Sequence, residues 1–112
     1  MFDNRMTDRS KATGKVPVFN RSTGKKVGLL VDVSNDGMLV MTKEDLAENQ
    51  VLELALGMPD QIEVGGHLDI DAEIVWTRHS EHLGIVNNGL RLRYLSPEAS
   101  EKLKKLISYY TP

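Results

Sequence analysis

The stretch from Lys25 to Thr42, KKVGLLVDVSNDGMLVMT, holds two apolar runs on either side of Asn35-Asp36-Gly37. An Asp-Gly pair between such runs is a strong short-range signal for a β-hairpin, because glycine adopts φ > 0 without a Cβ clash. In the first run Val27, Leu29, Val31 and Val33 share one parity. Successive strand side chains point to opposite faces, so these four are expected to fill a core. Asp32 and Ser34 take the other parity, and both are expected to project outward where the strand ends.

Outward from this hairpin the period stays at two. Val16 and Val18 open an earlier strand, and Ser22-Thr23-Gly24-Lys25 reads as a turn. Glu44 to Glu48 reads as a helical turn or loop. Val51 to Leu56 then alternates, with Leu52, Leu54 and Leu56 on one face, and stops at Gly57-Met58-Pro59-Asp60. From His67 to Trp76, Leu68, Ile70, Ala72, Ile74 and Trp76 alternate with Asp69, Asp71 and Glu73. The last strand is expected from Gly89 to Leu95, with Leu90, Leu92 and Tyr94 inward and Arg91 and Arg93 outward. There the period changes. Ser96 is a good N-cap, Pro97 suits the first helical position and Glu98 favours the positive helix end. Leu103, Leu106, Ile107 and Tyr110 follow helical spacing. About six strands and one helix predict an all-β fold, a small antiparallel six-stranded β-barrel with one C-terminal α-helix.

Residues 1–14 lack apolar periodicity and end in Ala12-Thr13-Gly14. They are read as a mobile arm, and residues 15–112 as the barrel with its helix. The chain has 112 residues, 40% hydrophobic and 27% charged, with no cysteine, which suits one domain and excludes disulfide scaffolds and Cys-based metal sites. No apolar run approaches the roughly 20 residues of a membrane span, and the polar start MFDNRMTDRSK has no secretory h-region, so a cytoplasmic protein is expected. The net charge of −2 hides an asymmetry: residues 1–30 carry seven basic and two acidic groups, the rest seven basic and fourteen acidic. A basic arm on an acidic body suits a small anionic ligand better than a long polyanion.

Enzyme chemistry finds little support. Thr23-Gly24-Lys25-Lys26 lacks the hydroxyl residue after Gly-Lys, and Phe19 stands where a phosphate loop has its first glycine. His79 and His82, with Glu81 between them, have no third ligand at useful spacing, so no metal or cofactor is expected. Asp69, Asp71 and Glu73 read as the wet face of a strand. Two segments remain. Arg5 and Arg9, four residues apart, present two guanidinium forks on one side, suited to phosphate oxygens and guanine O6 and N7. Asp32, Ser34 and Gly37 give a carboxylate that accepts from guanine N1–H and N2–H, a hydroxyl beside it, and a glycine that lets the backbone turn close beneath a ligand.

Taken together, an RxxxR arm before the first strand and a DxSxxG hairpin at the second resemble the PilZ domain family, bacterial receptors for cyclic di-GMP. The resemblance covers nearly the whole chain, and Arg5, Arg9, Asp32, Ser34 and Gly37 match its motif positions. It implies a ligand-binding protein rather than an enzyme, with an arginine arm that closes over the dinucleotide. It also implies a protein partner that reads the closed arm, in settings such as motility or biofilm control, and no DNA or RNA polymer as ligand. Asn4 stands where many relatives carry another basic residue, which leaves open whether one ligand or a stacked pair binds. Trp76 is core by parity; at a strand end near the rim it would instead stack on a guanine. Two rivals stand beside this reading. One is a PilZ-like adaptor independent of nucleotide. The other is an OB-like barrel for single-stranded nucleic acid, a mode that wants aromatic platforms along a basic groove, where this chain has six aromatics and acidic strand faces.

Overall fold

In the computed structural model, which describes residues 10–80 and 84–110, each apolar alternation becomes a strand. The order is β1 (Ser10–Asn20), β2 (Lys26–Val33), β3 (Gly37–Thr42), β4 (Val51–Gly57), β5 (His67–His79), β6 (Val86–Tyr94) and α1 (Pro97–Tyr110). The strands close into an antiparallel barrel in the order β1-β2-β3-β6-β5-β4, so each has a neighbour on both sides, the β1–β4 seam being closed by Val18–Asn20 against Leu54–Leu56.

The register stacks the interior side chains around the barrel. Val18 pairs with Leu56, Leu56 with Leu68, Val16 with Leu30, Leu30 with Val40 and Leu90 with Ile74, and every one of these residues is buried. Burying a side chain of this size contributes about 1.5–3 kcal/mol. Helix α1 lies against β1 and β5. It buries Ala99, Leu103 and Leu106 and packs Ile107 and Tyr110 at the margin. Burial first, and the charge of Tyr109 second, hold the Tyr110 phenol above its ordinary pKa, so it stays neutral in that contact. The helix starts where Ser96 caps it: Ala99 N donates to Ser96 Oγ at 3.0 Å and Ser100 N to Ser96 O at 2.8 Å. Ser96→Ala removes that side-chain acceptor and should lower stability by about 1 kcal/mol, seen as a lower urea midpoint with an unchanged m-value.

The structure corrects the expected parity in β2. Leu30 and Val33 are fully buried, while Leu29 and Val31 are only half-buried and Val27 packs at the edge of the core. Val27 falls in a register shift against β1 and Val31 in one against β3. An extra residue in one strand reverses which face the following side chains take, so the interior set becomes Leu30 then Val33. The same event occurs at Val75 in β5, where Ile74 pairs with Leu90 but Trp76 pairs with Gly89. Trp76 therefore leaves the core parity and lies on the outer face, half-buried.

Strand boundaries also move. Strand β1 begins at Ser10 rather than Lys15, because pairing resumes beyond an irregularity: Val16 pairs with Leu30, then Lys11 with Asp32 and Ser10 with Val33. Residues 10–14, expected in the arm, thus belong to the first strand. β5 runs on to His79, and β6 ends with Tyr94 exposed rather than inward. Among the described residues no helix is long and apolar enough to cross a membrane.

Candidate ligand-binding face

The DxSxxG segment folds as the hairpin between β2 and β3. Val33 pairs with Met38, and Ser34 N donates to Gly37 O at 2.9 Å. The Ser34 hydroxyl is spent inside this turn: it donates to Gly37 O at 3.4 Å and accepts from Asp36 N and Gly37 N, each at 3.3 Å. Ser34 is accordingly buried at 2% exposure, not projecting outward as its parity suggested; local side-chain bonding has claimed it. Gly37 also departs from expectation, since the described glycines with positive φ are Gly24, Gly65 and Gly84. The loop closes through serine rather than through a left-handed glycine. Leu92 N donates to Asp36 O at 3.0 Å, fastening the turn to β6.

Asp32 keeps the outer parity but is 6% exposed, so it too is buried rather than projecting freely. It belongs to one line of paired residues across the barrel's outer face: Lys11 with Asp32, Asp32 with Leu39, Leu39 with Gly89, and Gly89 with Trp76. Three strand spacings of about 4.8 Å separate β2 from β5 in this line, roughly 14 Å measured around the curved sheet, which is half the circuit of the six-stranded ring. One end carries a carboxylate and the other the chain's single tryptophan. Arg78 sits with its guanidinium carbon 5.7 Å from the indole centroid, within cation–π range. In the neighbouring line Gly37 pairs with Arg91 and Arg91 with Glu73, and Arg93 donates to Glu73 Oε1 at 2.9 Å.

Arg5 and Arg9 lie outside the described residues. Ser10, which follows Arg9, pairs with Val33, so the chain enters the fold beside the DxSxxG hairpin. His82 and Glu81 also lie outside the described residues. His79 sits at the end of β5 with Nε2 2.7 Å from Asp45 Oδ1. Among the described residues no three or more His, Cys, Asp or Glu gather as a metal site. The acidic strand face is partly neutralised: Arg21 donates to Asp71 at 2.7 Å and to Leu54 O at 2.9 Å. The sequence marks Gly89 only as the start of a strand and does not single out Arg78. An isolated glycine within an alternating strand was the available signal, since it often marks a close approach.

Comparisons with known proteins bear on the family and the fold. The PilZ domain model matches residues 3–109, and the chain belongs to that family. The fold is that of the PilZ domain of Escherichia coli YcgR with c-di-GMP, at a TM-score of 0.74 and 15% identity, covering 96% of this chain and 92% of that one. The K. pneumonia MrkH–c-di-GMP complex matches with a TM-score of 0.72 and 14% identity over 96% of this chain and 52% of that one. Bacillus subtilis MotI, an inhibitor of motility, matches with a TM-score of 0.68 and 15% identity over 97% of this chain and 50% of that one. The chain thus spans about half the length of the MrkH and MotI chains. No curated protein matches it.

Proposed function

We propose that this chain is a cyclic di-GMP receptor that grips the dinucleotide between Arg5 and Arg9 and the β2–β3 hairpin, and signals to a protein partner when the arm closes. The observation that carries this reading is the pairing of Ser10 with Val33 and Lys11 with Asp32. It delivers the strand that follows the arginine pair to the hairpin bearing the carboxylate. In this proposal Arg5 and Arg9 contact phosphates or guanine edges, and Asp32 accepts from guanine N1–H and N2–H. Ser34 and Gly37 shape the turn, and Trp76 offers a platform for the second base. Arm closure moves whatever covers Asp32, because a carboxylate at 6% exposure meets ligand only after local rearrangement.

Each charge-assisted hydrogen bond contributes about 1.5–3 kcal/mol net, and ordering six arm residues costs on the order of 1–2 kcal/mol each. The surplus is moderate, corresponding to a Kd of about 0.1–10 μM, which suits a reversible sensor. Titration calorimetry with cyclic di-GMP tests the reading and reports ligand number at once. Cyclic di-AMP should bind far more weakly, because adenine lacks the N1–H and N2–H donors. Asp32→Ala should cost about 1.5–3 kcal/mol of cyclic di-GMP affinity and narrow that preference. Equal heats from both dinucleotides, or none from either, would defeat the proposal.

A further inference from the structure

We infer that Gly89 is a positioning residue: lacking a side chain, it seats the Trp76 indole on the outer face in line with Asp32. This rests on the reading of Trp76 as a base platform. Gly89 occupies an outward-facing position of β6, between the inward-facing Asn88 and Leu90, yet it is buried. The indole fills the space where its side chain would stand. A Cβ built on Gly89 would overlap Trp76 Nε1 and Cε2 and come within 2.8 Å of Cδ1. The bulge at Val75 turns Trp76 out of the barrel, the Gly89 gap receives the pyrrole edge, and Arg78 at 5.7 Å from the centroid favours that ring position. The close approach at Gly89, rather than the tryptophan alone, therefore sets where a stacking surface stands relative to the carboxylate three strands away.

Because Trp76 is the only tryptophan, its fluorescence reports the seat directly. Gly89→Ala should shift the emission of the ligand-free protein to the red and raise acrylamide quenching. It should also weaken cyclic di-GMP binding about tenfold, the loss of one stacked base. Trp76→Ala should weaken binding by a similar factor, and the double variant should be no worse than Trp76→Ala alone, since the added methyl then has nothing to displace. If Gly89→Ala is poorly folded by itself, restoration of its Tm by Trp76→Ala reports the same coupling. Unchanged emission and quenching in Gly89→Ala, or fully additive losses in the double variant, would overturn the inference. Absence of cyclic di-GMP binding by the unaltered protein would instead remove the receptor reading, and emission and quenching would still decide the seating of Trp76.

Discussion

Arg5→Ala or Arg9→Ala should weaken cyclic di-GMP binding by about 2–4 kcal/mol, roughly 30- to 1,000-fold, with the melting temperature of the ligand-free protein nearly unchanged. Each guanidinium offers a planar fork to a phosphate or to guanine O6 and N7, and such bidentate contacts are among the strongest a side chain makes. A moderate total affinity leaves little reserve, so the loss of one fork removes a large share of the surplus over the cost of ordering the arm. Stability is spared because in this scheme the arginines meet their partners only when ligand is present. Arg9→Lys separates charge from geometry: a lysine keeps the long-range attraction but loses the fork. It should recover only the salt-sensitive part of the affinity. Calorimetry at two ionic strengths, beside thermal melts, measures both quantities. Affinity like that of the unaltered chain in either alanine variant contradicts the arm scheme, and a large fall in melting temperature would make the arginines structural.

The architecture was legible in the sequence wherever hydrophobic period carried the information. Alternation in Val51–Leu56 and His67–Ile74, the Asp-Gly turn, and the Ser96-Pro97 helix start all depend on local chemistry, and all reappear in β4, β5, the β2–β3 hairpin and α1. What period two could not supply was the location of bulges. Val27, Val31 and Val75 carry no sequence mark, yet each reverses the faces beyond it. Leu30 enters the core where Leu29 was expected, and Trp76 leaves it. The motif residues were legible as chemistry but not as geometry: nothing in DxSxxG says that the serine hydroxyl closes its own turn. The start of β1 was hidden because pairing across Ala12-Thr13-Gly14 is interrupted before it resumes at Lys11, and an interrupted strand looks like the end of one.

Asn88→Asp should destabilise the barrel by about 3–5 kcal/mol. Asn88 is fully buried inside the barrel. Its Nδ2 donates to Thr42 Oγ1 at 3.0 Å, Val40 O at 3.1 Å and Val86 O at 3.4 Å. Thr42 Oγ1 in turn donates to Glu44 O at 2.7 Å, so the amide nitrogen faces groups that can only accept from it. A carboxylate in that place exchanges a donor for a charge among three acceptors, in a medium that disfavours ionisation. The penalty carries a pH signature. Burial raises the new carboxyl's pKa in the folded state above its unfolded value of about 3.9, so the folded protein binds the extra proton more tightly than the unfolded chain. Stability of the variant must then fall as pH rises from the unfolded pKa through the folded one, and recover in part toward acid, where the protonated form can donate to one acceptor. Asn88→Leu loses the same hydrogen bonds without acquiring a titratable group, so its cost should stay constant over that range. Urea unfolding of both variants from pH 4 to pH 8 separates the effects. Parallel curves for the two would show that the interior of this barrel tolerates a charge at position 88 and would overturn the expected pH signature.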